Sequence, residues 1–515
     1  MDGGDSGEHR SSPHEHRSPA HPAGLLILSA TELWERFSYY GTRALLVLYL
    51  VKELDHDDRS ALLIYGGYTS IVYLTGLLGG LAGDRLIGAP RAIVLGGSLI
   101  VLAHAGLVAS TVIRLSLPGM TAAGDGLFLL SLSLVAIGTG LLKPNSTALV
   151  GRLYGSNDPR RDSGFTLFYV GINGGAVLGP LVCGFIGETF GWAFGFGAAG
   201  VGVATGLLLF VLRRRDVVLA DMTPVVGPAM TATLGTAICA GLTLLTTGIW
   251  FALNHPAAFG QIMLAASLVL SVGAVRFLIG CGPSERRAML LVLGHVAFSI
   301  VFWALLEQGG GSLSLFTDRH VDRQLFGFEA PASVFQSLEP LFVLLLGPAF
   351  SALWLVLARR GASPFVSRKF ALGLIGVAAG FAIMVLAIGA FGDHGQVPAI
   401  FVVAMYFAFA VGECLLAPAG LAMVTGWSPP RAAGVMAGIW FFGMAAGGYL
   451  AASASAHAPD LTRADLGAAA FSPLFMALGV IGLAAGVVLL VAAGRLQRYA
   501  GEIGATKPPP NRPGP

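Results

Sequence analysis

Apolar stretches of about twenty residues, each closed by a short polar, Pro- or Gly-containing break, recur along the whole chain. Each is long enough to cross a hydrocarbon core of ~30 Å as a helix. The pattern predicts fourteen spans: 24–50, 61–83, 91–113, 124–149, 164–187, 192–212, 230–253, 256–279, 288–309, 333–357, 369–390, 397–426, 431–453 and 471–493. Arg-rich segments at 213–216 and 276–287 divide them into groups of six, two and six. The middle pair carries no Asp, Glu, Lys or Arg between Met230 and Val275, so it has nothing to coordinate and reads as a peripheral insert. The expected organisation is a disordered tail over 1–22 and a six-helix bundle over 23–215. A two-helix insert over 216–284, a second six-helix bundle over 285–495 and a Pro-rich tail over 496–515 follow.

The apolar pattern is broken most sharply in the first span, where Glu32, Glu35, Arg36 and Arg43 interrupt it. On a helix, Glu32, Arg36, Tyr40 and Arg43 step by four, four and three and share one stripe. One charge at the centre of a membrane helix costs about 2.5–3.5 kcal/mol on insertion scales. Several on one helix persist only if they face a wet cavity or one another. This helix is expected to line a cavity.

Composition agrees with a membrane chain: 55% of residues are hydrophobic and only 11% charged, where soluble proteins carry about a quarter. A net charge of +3 gives no reason to expect nucleic acid as a partner. No secretory signal is visible in the His-, Ser- and Pro-rich start. Cys183, Cys239, Cys281 and Cys414 have neither metal-site nor disulfide spacing and read as packing residues. With both termini cytoplasmic, 22 Lys and Arg fall in inner segments, 6 in outer ones and 3 within spans. That asymmetry satisfies the positive-inside rule.

Other polar residues interrupt later spans. Gly79-Gly-Leu-Ala-Gly-Asp84-Arg85-Leu-Ile-Gly88 joins the second and third spans and is similar to the loop signature of the major facilitator superfamily, although an ordinary charged loop also fits. Lys143 lies deep in the fourth span beside Pro144; it either snorkels to the interface or pairs with an acid such as Glu32 or Glu35. Asn173 in the fifth span holds a polar ligand or bonds a neighbouring helix. Trp303 and Glu307 stand one turn apart, and a lone carboxylate in an apolar span has the chemistry of a proton carrier. Glu339 and Glu413 each precede a proline; Glu413 is deep, whereas Glu339 is near enough to a span start to reach the outer interface. His104 and His295 read as hydrogen-bonded packing, and His14, His16 and His21 as part of a solvated tail.

The acids Glu32, Glu35, Glu307, Glu339 and Glu413 outnumber the bases Arg36, Arg43 and Lys143 by five to three. Two carboxylates lack a full partner, an argument for proton uptake in a poorly screened cavity. Two six-helix halves with polar residues near midplane form a transporter architecture. Neither a nucleophile–base pair nor a metal cluster is evident in the spans, which argues against an enzyme.

Glu32-x-x-Glu35-Arg36-Phe37-x-Tyr39-Tyr40-Gly41 resembles the first-helix signature of the proton-dependent oligopeptide transporter family. Lys143-Pro-Asn, Phe168-Tyr-x-x-Ile-Asn173-x-Gly175, Phe302-Trp303 with Glu307-Gln308, Gly412-Glu413 with Pro418, and Trp440 are similar to further motifs in the same order. The resemblance implies an all-α integral membrane chain of the major facilitator fold with fourteen transmembrane helices. It also implies symport of di- and tripeptides with protons by alternating access, in a monomer without a cofactor. The expected location is a bacterial-type plasma (inner) membrane, multi-pass in the lipid bilayer. By the same resemblance Arg36, Tyr40 and Lys143 would hold a peptide carboxylate, and Asn173 and Glu413 its amino end. Tyr73 would contact the backbone, and Trp303 and Trp440 would shape side-chain pockets. Glu32, Glu35 and Glu307 would handle the proton, with Arg43 exchanging partners with Glu307.

Three positions depart from the family pattern. Glu339 stands where Asn is usual, and Gly76 and Ala417 replace a usual Pro and Ser. A second carboxylate at Glu339 strengthens cation binding, demands another proton or signals a more cationic substrate. Transport of a non-peptide substrate on the same scaffold is the alternative.

Overall fold

The computed structural model describes residues 20–154, 158, 160–217, 228–325, 327–392, 395–428, 433–458 and 464–504. His14, His16 and most of both expected tails lie outside them, as does Arg431. The architecture is all-α apart from pairings of two-residue strands, such as Val321–Asp322 beside Val397–Pro398. The first six rods are α1 Ala23–Lys52, α2 Asp58–Ala82, α3 Ala89–Ser116, α4 Thr121–Arg152, α5 Arg161–Gly179 continued by α6 Phe185–Phe190, and α7 Trp192–Leu212. Then come α8 Pro228–Asn254 and α9 Pro256–Ile279. The last six are α10 Pro283–Leu306 continued by α11 Ser312–His320, α12 Leu338–Arg359, α13 Val366–Phe391, α14 Ala399–Trp427, α15 Ala433–Ala456 and α16 Ser472–Gly504.

Thirteen of these rods are long and apolar enough to cross a membrane. α1 is the fourteenth expected span; its 30 residues suffice for crossing, but its charges leave it too polar to count by composition. Two edges differ from expectation. The span predicted to end at 309 continues through a turn at Glu307–Gly310 into α11, and α16 stays helical to Gly504, into the segment expected to be a disordered tail. In both cases the polar residues taken as a stop lie on a helix that runs beyond the apolar core.

Helices α1 to α7 pack chiefly on one another, with α1 against α5 and α7 and α4 against α2 and α3. A second group joins α10, α13, α14, α15 and α16, with α12 against α14. α8 and α9 lie outside, α8 on α4 and α2, and α9 on α2, α10 and α15. Small residues permit these approaches, as membrane helix packing requires. A β-carbon at Gly175 would strike the Leu33 carbonyl, so this glycine lets α5 close onto the charged face of α1. Gly412 of α14 approaches the backbone of α13 in the same way. At the α2–α3 loop, α2 widens into a π turn at Gly83–Ile87, Gly88 takes φ +82°, and Asp84 pairs with Arg152 at 3.5 Å.

The two groups meet along α2 and α15 and at the end where α1 passes into α2. There Lys52 pairs with Asp318 at 2.6 Å, and Arg319 grips Asp58 with two bonds of 2.6 and 2.7 Å. Glu188 accepts from the backbone N–H of Ser333 at 2.8 Å, and Gln336 donates to the Ala44 carbonyl at 3.4 Å.

Asp57 caps α2 at this end, accepting from the Ser60 N–H at 2.8 Å and its hydroxyl at 3.1 Å. These bonds hold its carboxyl below the usual aspartate range, the Ser60 N–H contributing most. The cap therefore contributes fully above about pH 4, the unfolded aspartate range, and is lost as pH falls through the lower folded value. Asp57→Ala is expected to cost about 1 kcal/mol, read as a lower thermal unfolding midpoint in detergent at neutral pH. The gap to wild type should narrow in acid.

Candidate functional site

The charged face of α1 is packed against α4 rather than open to solvent. Glu32, Glu35 and Arg36 are only 0%, 1% and 2% exposed. Arg36 donates through Nε and Nη2 to the two oxygens of Glu35 at 2.6 and 2.8 Å, a bidentate pair. Thr139 of α4 donates to Glu35 at 2.9 Å and Ser146 donates to Glu32 at 2.5 Å. The other Glu32 oxygen has no hydrogen bond and lies 3.9 Å from the Arg36 Nε. The charges persist by facing one another, one of the two conditions that their sequence demands. The guanidinium also lies 4.7 Å from the Tyr39 ring centroid and 5.9 Å from that of Tyr40.

Glu35, off the predicted stripe, is thus the main partner of Arg36, and the stripe does not line a cavity along its full length. Toward its other end the stripe changes partner. Arg43 donates to the Tyr65 hydroxyl at 2.8 Å and to Glu307 at 2.8 Å, joining the two halves of the chain. Glu307 sits where α10 breaks into the Glu307–Gly310 turn. Gln308 anchors that break: it donates to the Ala451 carbonyl at 2.9 Å and accepts from Ser312 at 2.5 Å and Ser455 at 2.7 Å.

Lys143 makes no ion pair among the described residues, contrary to the expected pairing with Glu32 or Glu35. Those acids are held by Arg36 and by α4 hydroxyls, while Lys143 remains close enough to feel Arg36, Glu32 and Glu35 electrostatically. Asn173 donates to the Tyr169 carbonyl of its own helix at 3.0 Å, a bond within α5 rather than to a neighbouring one. Tyr73 is half-buried within electrostatic range of Glu307, Tyr39, Tyr40 and Arg43. Trp303 is buried with its indole N–H unpartnered, and Trp440 is buried against Gly420. Glu339 and Glu413, both partly exposed, stand on α12 and α14, which pack together, and interact electrostatically. Glu339 is thus turned inward rather than to the outer interface.

The lone histidines are packing groups, as expected. His104 bonds Ser38 and Thr42 at 3.1 Å each, and His295 bonds Ser367 at 2.7 Å. His21 contacts the Tyr154 hydroxyl at 2.8 Å, so it is not free in a tail. Sequence reasoning missed Thr139, Ser146, Tyr65 and Tyr169. The first two could have been found, because Thr139, Lys143 and Ser146 step by four and three and share one face of α4.

Ionisable groups gathered between two helical bundles inside an apolar shell define a membrane transporter rather than an enzyme. The chain belongs to the POT family, whose model matches residues 90–465. Its fold is accordingly that of the major facilitator class. It is 35% identical over 439 residues to an uncharacterized transporter, YclF, of Bacillus subtilis, covering 83% of this chain and 86% of that protein. It is 33% identical over 470 residues to the peptide transporter YePEPT of Yersinia enterocolitica, covering 85% of this chain and 88% of that one. A crystal structure of a peptide transporter POT in complex with sulfate superposes with a TM-score of 0.79 at 31% identity, covering 94% of this chain and 97% of that one.

Removing Arg36 would leave Glu32 and Glu35 buried without their counter-charge. Arg36→Ala is expected to destabilise the protein by about 3–5 kcal/mol. Arg36→Ala combined with Glu35→Gln should recover part of that loss, measured by thermal unfolding of the purified proteins.

Proposed function

We propose that this chain is a proton-coupled symporter that imports di- and tripeptides by alternating access. It works as a monomer in a bacterial-type plasma membrane with both termini cytoplasmic and without a cofactor. The observation that carries this reading is the separation of unsatisfied charge into two poles. Lys143 is an ammonium without an ion-pair partner among the described residues, on α4 beside Arg36. Glu339 and Glu413 are carboxyls with no cation in ion-pair contact among the described residues, on α12 and α14. A zwitterionic peptide offers a carboxylate to the first pole and an ammonium to the second. Tyr40 and Tyr73, both partly buried, and Asn173 supply hydrogen-bonding groups between them, and Trp303 and Trp440 bound the side-chain space.

The Arg43–Glu307 pair supports the coupling step. It joins the two halves, and its side chains are 13% and 9% exposed, so little water competes with it. Protonation of Glu307 removes the charge that holds Arg43 and favours separation of the halves. Glu32 and Glu35 hold the Arg36 end of the same stripe, so a change in either acid alters how strongly Arg36 can meet a substrate carboxylate. A second reading, a more cationic substrate, is favoured by one observation: two carboxyls rather than one stand at the ammonium pole.

Proteoliposomes with an inward proton gradient should accumulate labelled dialanine. Failure to accumulate it, with a cationic or non-peptide substrate accumulated instead, would favour the second reading. Glu307→Gln is expected to lose gradient-driven uptake while keeping counterflow exchange. Full gradient-driven uptake in that variant would remove Glu307 from the coupling step.

A further inference from the structure

A second group of cations lies away from the cavity. Arg359, Arg360, Arg368 and Lys369 fall together where α12 passes into α13, and no Asp or Glu occurs from Pro340 to Gly392. None of the four side chains makes a hydrogen bond or ion pair among the described residues. The loop that carries them is fixed at both ends. Gly361 takes φ +65° just past α12, and the Ala362 N–H closes back on the Leu357 carbonyl at 2.8 Å. Phe365, the N-cap of α13, stacks on Trp427 of α14 with ring centroids 5.6 Å apart. Ser367, in the first turn of α13, bonds His295 of α10 at 2.7 Å. Two residues on, the Lys369 Nζ lies 4.0 Å from the ring centroid of Trp354 on α12.

Beside Lys369 is a cavity of about 240 Å³, walled by Val366, Ala419, Ala422, Met423 and Trp427. Lys369 is the one charged residue among the described ones that line it. A drug-sized solute needs a pocket of about 300–1,000 Å³, so this space suits part of a larger ligand. Ala422 and the neighbouring Leu421 are exposed, so the cavity opens toward the surroundings of the helices. An ammonium resting on an indole face keeps N–H donors for an anion. The apolar walls require that anion to carry hydrocarbon, because a free inorganic anion would leave them uncovered. Trp354 and Trp427 set the depth, since tryptophan concentrates at the level of lipid headgroups. Arg359 and Arg360 follow Trp354 along α12 by about 7.5 Å and more, on the aqueous side of it.

The geometry points to a site for one anionic phospholipid. Its phosphate sits on Lys369, and the start of an acyl chain runs along Val366, Ala419 and Met423. Arg359, Arg360 and Arg368 draw the lipid in from the leaflet. The topology proposed above puts this end on the cytoplasmic side, where anionic lipids give the leaflet a negative surface potential. The site itself does not depend on which solute is carried.

The purified full-length protein is stripped of lipid in detergent, and each variant is checked for folding by size-exclusion chromatography and thermal unfolding. Phosphatidylglycerol and phosphatidylcholine are then titrated by native mass spectrometry, with inorganic phosphate as competitor. Wild type should hold one phosphatidylglycerol about tenfold more tightly than phosphatidylcholine, and equimolar inorganic phosphate should not displace it. Lys369→Gln removes the charge at the phosphate, and Ala422→Phe fills the cavity with every charge retained. Each should weaken that binding about tenfold. Arg359→Gln with Arg360→Gln should weaken it as well. Arg495→Gln with Arg498→Gln, two cations taken from the exposed end of α16, should leave it unchanged.

Equal affinity for the two lipids, or equal losses from the two arginine pairs, would mean diffuse attraction to a basic surface and overturn the site. Displacement by inorganic phosphate, or unchanged affinity in Ala422→Phe, would overturn it too, because the apolar walls would then contribute nothing. Should Lys369→Gln fail to fold, Ala422→Phe and the arginine pairs decide alone. No transported solute enters these measurements, so a negative result leaves the transport reading standing, and absent dialanine uptake leaves the lipid site standing.

Discussion

An arginine in the middle of a membrane helix is tolerable only beside a negative charge, because hydrocarbon returns none of the solvation that water gave it. Arg36 meets that condition with the adjacent Glu35, in a bidentate pair that is almost wholly buried. Much of the first half follows from satisfying it. α4 must come close enough for Thr139 and Ser146 to donate to the two acids, and α5 must present Gly175 so that nothing obstructs the charged face. Because those acids are taken by Arg36 and the α4 hydroxyls, Lys143 makes no ion pair among the described residues.

The second half repeats the logic with the opposite sign. Its cationic partner is borrowed from α1, since Arg43 reaches across to Glu307. The helix that carries Glu307 breaks there, and a three-way bond through Gln308 fastens the break to α15. A broken helix leaves backbone groups unsatisfied, which an apolar environment penalises, and the Tyr406 hydroxyl donates to one of them, the Gly309 carbonyl, at 3.4 Å. The acid that pairs across the halves, Glu307, and the residue that fixes the break, Gln308, are thus neighbours in sequence.

The rod count, the six-two-six spacing and the identity of the charged residues could be read directly from sequence, because apolar run length and isolated charges are strong signals in a membrane chain. Pairing could not. Helical periodicity placed Glu32, Arg36, Tyr40 and Arg43 on one stripe and said nothing of Glu35, although adjacency lets a long arginine side chain fold back onto its neighbour. The same limit hid the fate of Lys143, which depends on which of two cations reaches the acids first. The continuation of α10 into α11 was hidden because glycines and polar residues after Glu307 look like an exit from the bilayer. The arithmetic of five acids against three bases let each base take one acid, whereas Arg36 takes two and Lys143 none, and Glu339 and Glu413 are in no ion pair among the described residues.

The end where α1 passes into α2 is joined to the second half by pairs unlike the buried one of Arg36 with Glu35. Lys52 with Asp318 and Arg319 with Asp58 bridge the halves, and the cationic side chains are 41% and 32% exposed. Mobile ions reach such pairs and screen them over about 8 Å at physiological ionic strength, whereas they scarcely reach Arg36 with Glu35. The two halves are therefore fastened at this end by the bonds that dissolved salt loosens most readily, so rising ionic strength weakens their contact here before it weakens the buried pairs.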